Sequence, residues 1–295
     1  MEKAIHSGRS KASALGKKGA GRSAYVMKPE SLALVENFRL MDDTFMSKCL
    51  ENAPECIELI LRIIIGKKDL KVIKSQTEYP IKSLQGRGVR FDVFARDSKG
   101  REYDIEIQRA DKGADPKRAR YNSALMDANA LKSGEDFGKL RDTYVIIITE
   151  NDVMGRGQGV YVFDRMDKKS GLDFGDGAHV VYANGMWRGD DALGRLMCDF
   201  NCRDANKMHY DVLKKRVSQL KDSEEGRRIM CKAVEEFAER RAAEAKAEGK
   251  REGKREGMLT MAKRLLANGK LMLKEIAECT GLSLVQVKKL QAEMA

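Results

Sequence analysis

The chain has no apolar run approaching the ~20 residues that cross a bilayer; its Ile57 to Ile65 stretch is short and interrupted. Its N-terminal residues contain no apolar segment of the kind a secretory signal carries. Both absences lead to the expectation of a soluble, cytoplasmic protein with no membrane partner. Cysteine is present without the patterns that give it chemistry. The six cysteines form no CxxC pair and have no run of histidines beside them, so buried free thiols in a reducing compartment are the plainer reading. Cys198, Cys202 and His209 assemble into a zinc site only on paper. The carboxylates of Asp173-Phe-Gly-Asp176 lack the spacing of a calcium-binding loop, and turn chemistry accounts for them.

What the chain does have is charge. Lysine and arginine total 56 against 45 aspartates and glutamates, a net charge of +11. Such an excess supplies sequence-independent affinity for polyanions, whether DNA, RNA or an acidic protein. A length of 295 residues with 42% hydrophobic content suits one medium core and a smaller appended module. Residues 1–30 are rich in Ser, Gly, Lys and Arg and read as a disordered basic tail, either gripping nucleic acid or merely solubilising.

The most informative stretch is Val89 to Gln108. Two runs with period-two alternation flank Asp97-Ser-Lys-Gly-Arg101, the pattern of a β-hairpin with Gly100 left-handed in a three-residue loop, Ser98 to Gly100. In that register Asp92 faces Glu106 and Arg90 faces Gln108. Opposed side chains on one face have Cβ atoms roughly 4.5–5.5 Å apart, so the two carboxylates converge, with Gln108 next along. A hard divalent cation such as Mg²⁺ or Mn²⁺ would neutralise them. The plainer alternative is a polar strand face screened by Arg90, Arg101 and Arg109, and a two-residue turn would send the acids to different faces.

Around this hairpin the coarse reading is helical and then α/β. Order begins near Ser31. A helix runs from Thr44 to about Asn52 behind Asp42 and Asp43, and another runs from Pro54 to Ile65, stopped by Gly66. Leu70 to Glu78 reads as a first strand and Asp111 to Leu131 as a helix carrying Lys117, Arg118 and Arg120. Thr143 to Thr149 is an apolar run suited to a strand covered on both faces. Gly159 to Phe163 and His179 to Asn184 are two further strands.

The order and spacing of these motifs resemble the PD-(D/E)XK nuclease superfamily, in its branch of recombination-promoting nucleases and transposases. Asp92, thirteen intervening residues and Glu106-Ile-Gln108 match its D…ExQ signature. Supporting matches are Met41-Asp-Asp-Thr-Phe45, Arg118-Ala-Arg-Tyr-Asn-Ser123, Thr143 to Thr149, and Lys274-Glu-Ile-Ala with Thr280-Gly-Leu-Ser283. The resemblance covers roughly Phe38 to Ala295. It implies a restriction-endonuclease-like α/β core (helix, three strands, helix, strand) over 31–190, with Asp92, Glu106 and Gln108 catalytic and Asp92 and Glu106 binding metal. Gln108 stands where the superfamily usually has lysine. The resemblance also offers Asp42 or Asp43 as a first-helix acid, although helix capping explains an aspartate there equally well. Arg118 and Arg120 are candidates for phosphate binding, or for pairing with surface carboxylates.

Beyond Asp190 the reading is an appended helical C-terminal region. Residues 191–257 form helices that end in the repeat Glu248-Gly-Lys-Arg-Glu-Gly-Lys-Arg-Glu-Gly257, whose glycines suggest a pliable connector. Residues 258–295 have the outline of a helix-turn-helix, with Gly281 at the turn, Ser283 as N-cap, and Lys288 and Lys289 as candidate DNA contacts. The same helices would serve equally as a bundle joining copies into a homo-oligomer. The expectation is a metal-dependent DNA endonuclease using Mg²⁺ or Mn²⁺. The competing expectation is a non-catalytic DNA-binding regulator with a degenerate nuclease core, and RNA cleavage is a third.

Overall fold

The computed structural model describes residues 27–82, 88–109 and 111–294. Apart from residues 27–30, the segment expected to be a basic tail lies outside the described residues. Three helices open the fold: α1 (Pro29–Asn37), α2 (Asp43–Leu50) and α3 (Pro54–Ile65). Proline at the first turn starts α3, and left-handed Gly66, φ +72°, ends it. Then come β1 (Val72–Ile81), β2 (Val89–Asp97), β3 (Glu102–Gln108), α4 (Pro116–Ala130) and β4 (Thr143–Thr149). After β5 (Val160–Phe163) and β6 (Ala178–Asn184) the described chain is helical: α5 (Ala192–Asn201), α6 (Asp211–Lys221), α7 (Glu224–Asn268), α8 (Leu273–Thr280) and α9 (Leu284–Met294).

The strands form one mixed sheet in the order β1-β2-β3-β4-β6-β5. Strands β1, β2 and β3 are antiparallel neighbours, β3, β4 and β6 run parallel, and β5 returns antiparallel to β6. All seven residues of β4 are buried, as an apolar run covered on both faces requires. On one face, Val93, Ile105, Ile107, Ile146 and Ile148 pack with α2, α3, α5 and α6. On the other, Phe94, Val145, Ile147 and Tyr182 pack with Ala119, Leu125 and Met126 of α4.

Several expected features shift, three of them for an evident local reason. Strand β1 continues past Glu78 through Pro80, which an edge strand tolerates because the missing N–H faces no neighbour. Helix α4 begins at Pro116 and not at Asp111, because Asp115 caps it by accepting the Lys117 N–H at 2.8 Å; residues Asp111–Ala114 form a 3-10 turn. The glycine repeat does not interrupt the chain's helix: α7 runs unbroken through Gly249, Gly253 and Gly257. Ala242, Ala243, Ala245 and Ala247 precede the glycines, and residues 241–257 are exposed all round, so helix propensity and charge pairing carry this segment without packing.

The last turns of α7 join α8 and α9 around Ala262, Ile276, Leu282, Val287 and Leu290. Gly281, at φ +72°, turns α8 into α9, and Ser283 Oγ accepts the Gln286 N–H at 3.3 Å. All six cysteines are free thiols, with Cys49, Cys56 and Cys231 buried. No described helix is long and apolar enough to cross a membrane.

A buried lysine ties the helical layer together. Lys221 Nζ donates to the carbonyls of Glu36, Phe38 and Arg203 at 3.1, 2.6 and 2.7 Å and lies 5.2 Å from the Phe45 ring centroid. Lys221→Met removes the donor from three carbonyl oxygens. Urea unfolding will show a loss of about 2–4 kcal/mol, whereas an unchanged midpoint will show that water replaces the amine there.

Candidate active site

From Asp97 back to Val93 the hairpin has the loop and register read from the sequence, while the expected pairs Asp92 with Glu106 and Arg90 with Gln108 fall beyond the paired ladder. Gly100 sits at φ +84°, and Val93, Phe94, Ala95 and Arg96 oppose Ile105, Asp104, Tyr103 and Glu102. Asp97 locks the turn: one carboxylate oxygen accepts the N–H groups of Lys99 and Arg101, each at 2.9 Å, and the other accepts the Tyr103 hydroxyl at 2.9 Å. Beyond Val93 and Ile105 the paired ladder stops. There the acids bind backbone. Asp92 accepts the Ile107 N–H at 3.0 Å, and Glu106 accepts the Asp92 N–H at 3.4 Å. Each carboxylate is thereby braced on the other strand.

Strand β3 turns Tyr103, Ile105 and Ile107 into the larger core cluster. Period-two geometry therefore lines Glu102, Asp104, Glu106 and Gln108 along the face toward α4. Glu102, Asp104 and Glu106 are all buried. Each has a counterpart. Arg96 and Arg141 pair with Glu102, Asn122 donates to Asp104 at 2.8 Å, and Arg118 pairs with Glu106. Gln108 Nε2 lies 3.4 Å from Glu106 Oε2. The side-chain carbonyl of Gln108 rests where Gly113 leaves room, since a Cβ at 113 would fall 1.8 Å from Oε1.

The two candidate first-helix acids have different environments. Asp42 is occupied, pairing with Arg109 at 2.7 Å and accepting the Arg39 N–H at 2.7 Å. Glu150 completes that network by pairing with Arg39 and Arg109 at 2.8 and 3.3 Å. Asp43 instead raises the pKa of both Asp92 and Glu106 through its charge. Desolvation, and then the Glu106 charge, push the Asp92 carboxyl up to about 8. Glu106 and Asp43 are raised mainly by desolvation, with Arg118 opposing the shift in both. Asp104 is held well above the usual carboxylate range, first by burial and then by Glu106. Its Oδ1 receives no donor from the described residues, and in the neutral acid that oxygen can carry the proton.

Arg120 is exposed on α4, where with Arg90, Lys117, Arg118 and Tyr121 it lines a groove of about 750 Å³. Lys288 and Lys289 lie elsewhere, exposed on α9 in the C-terminal three-helix cluster. Asp104, Asn122, Gly113 and Glu150 carry no signal that singles them out in the sequence. A period of two from Glu106 reaches Asp104, but no local pattern reports its partner on α4.

Among the described residues no three His, Cys, Asp or Glu side chains gather closely enough to hold a metal ion alone. The neighbouring donors Asp92 and Glu106 are hard oxygens, and of the two only Glu106 has an arginine paired with it among the described residues. That fits a cation which takes one or two carboxylates and completes its shell with water or phosphate.

Residues 49–184 match the family model described as a PD-(D/E)XK nuclease family transposase. No curated protein and no solved structure matches the chain.

The acid cluster gives stability a defined pH dependence in the absence of metal. The folded protein keeps protons that the unfolded chain releases near pH 4. Unfolding therefore releases protons between about pH 4 and about 8, and stability falls as pH rises through that window. Thermal unfolding in EDTA will show this decline, and Asp92→Asn will flatten it. A decline of equal steepness in the variant would place its origin elsewhere.

Proposed function

We propose that the chain is a metal-dependent DNA endonuclease built on a restriction-endonuclease-like core, with Asp92, Glu106 and Gln108 as its catalytic residues. The observation that carries this reading is the mutual bracing of Asp92 and Glu106 within the segment that matches a nuclease family model. Asp92 and Glu106 would hold Mg²⁺ or Mn²⁺, and when bound the ion supplies charge neutralisation at the phosphate and acidifies a water ligand.

The chain's own groups do the rest. Arg118 lies against Glu106 and opens onto the groove, so it can exchange the carboxylate for a phosphate oxygen. Arg120 and Lys117, on the same helix, hold the strand through its backbone charge. Gln108 presents a side-chain carbonyl that can accept a hydrogen bond from the attacking water, which orients the lone pair toward phosphorus. Asp43, whose charge reaches both acids, deepens the negative potential at the cation site. Lys288 and Lys289 on α9 are proposed as a second DNA contact. The C-terminal helices are also the proposed route to a homo-oligomer.

Plasmid nicking tests this reading directly. The wild-type chain with Mg²⁺ or Mn²⁺ will nick, EDTA will abolish nicking, and Asp92→Ala and Glu106→Ala will each lower the rate by at least about 10²-fold, the scale of losing one preorganised electrostatic contact. Binding without cleavage at any metal concentration would favour the regulator. Preferential cleavage of RNA would move the substrate class.

Gly113→Ala tests Gln108 separately. The new methyl displaces only the tip of a flexible side chain, so melting will change little while the nicking rate falls to about that of Gln108→Ala. A fully active Gly113→Ala protein would remove Gln108 from the mechanism.

A further inference from the structure

A second cavity, of about 120 Å³, has Asp92, α2 and α7 among its walls and shares Arg90 with the α4 groove. Arg240 of α7 and Arg90 of β2 converge in it on one oxygen of Glu78, at 3.3 and 3.6 Å. Two guanidinium groups from distant parts of the chain thus share a single carboxylate oxygen. Arg240 also lies 5.5 Å from the Phe237 ring centroid, which fixes its approach. Acids line the cavity too: Asp43, Asp92 and Glu236.

Glu78 itself is strained. It has φ +49° in the middle of β1, between the pairs Thr77 with Val93 and Tyr79 with Phe91, and therefore across from Asp92. A glutamate in the left-handed region costs energy, on the order of 1–3 kcal/mol, and such outliers cluster at ligand clamps and active sites. Arg90 also lines the α4 groove. Arg90 therefore links the cations of the α4 groove, Arg120 and Lys117, to Arg240.

We propose that Arg90 and Arg240 form a phosphate clamp for the DNA backbone, with Glu78 holding the two guanidinium groups in place until a phosphate replaces its carboxylate. The proposal rests on the nuclease reading for its substrate class. It makes α7 part of the substrate-binding surface and places the clamped phosphate in the cavity that Asp92 lines, joined to the groove at Arg90. A strand lying across both cavities would pass Asp92 with a cationic grip in each. Fork-shaped guanidinium groups suit this task better than lysine, because each presents two parallel donors to the phosphate oxygens.

The test is DNA binding as a function of salt, with a labelled duplex, EDTA and the full chain carrying Asp92→Asn. Each cationic side chain removed from a phosphate contact takes about one unit off the slope of log affinity against log salt. Arg240→Gln and Arg90→Gln will each lower the slope by that amount, so their affinity deficit grows about eightfold from 1 M to 0.1 M salt. Arg240→Lys will keep the slope. Glu78→Gln will bind several-fold more tightly, since it removes a competing anion. An unchanged slope in both glutamine variants overturns the clamp, as does weaker binding by a Glu78→Gln protein with unaltered melting. If Arg240→Gln melts early, Arg90→Gln carries the decision, because Arg90 stands on β2 with its side chain 48% exposed. Nicking by the wild-type chain reports on the nuclease reading independently, so either idea can fail alone.

Discussion

Like charges repel most where water is scarce, and β3 gathers Glu102, Asp104 and Glu106 on a buried face opposite Asp92. Much of the surrounding structure compensates for that convergence. Backbone N–H groups of one strand donate to the other's carboxylate, α4 contributes Asn122 and Arg118, and the loop before β4 contributes Arg141. The compensation is uneven. Glu102 receives two arginines, while Asp92 receives a backbone N–H and keeps a carboxyl that burial and Glu106 both disfavour as an anion. An added cation beside Asp92 and Glu106 would relieve that mutual repulsion.

The scaffold follows from the same constraint. An acidic stripe on an inner strand needs a helix across it with polar groups at the matching spacing, and Arg118 and Asn122, one helical turn apart, meet Glu106 and Asp104, two strand residues apart. The hairpin cannot slip without breaking this match, because a shift of one residue would send all the acids into the apolar layer of Ile105 and Ile107. Asp97 and Gly100 fix the turn and so fix the register. The chemistry of the face is thus set by a loop more than ten ångströms of strand away, at ~3.3 Å per residue over the five residues from Asp97 to Asp92.

This dependence explains what the sequence made legible. Gly100 and the alternation around it are local signals, so the turn and the pairing of Val93 through Arg96 with Ile105 through Glu102 could be read from spacing alone. The apolar run of β4 announced a strand covered on both faces in the same way. What the sequence does not announce is held by contacts distant along the chain. Arg240 reaches Glu78 across 162 positions, and Arg39 reaches Glu150 across 111. The left-handed backbone at Glu78 has no glycine to mark it. The glycines of the 248–257 repeat mislead in the opposite direction: each weakens a helix, but the alanines and charge pairs around them outweigh the cost.

The residue at position 108 shows how the parts constrain one another. Lysine there would bring three donors and no acceptor to a place where Arg118 already supplies Glu106 with a cation. Two cations on one carboxylate would draw negative charge away from Asp92 and weaken the pull on a divalent ion. Glutamine donates to Glu106 through Nε2 without adding charge, and Gly113 leaves the space its Oε1 occupies. It therefore keeps an acceptor at the edge of the acid pair, which an ammonium group lacks. In the proposed nuclease reading Arg118 would carry the positive charge beside Glu106 and Gln108 would orient the water. A division of that kind requires both residues on elements fixed relative to Glu106, one on its own strand and one on the helix packed across it.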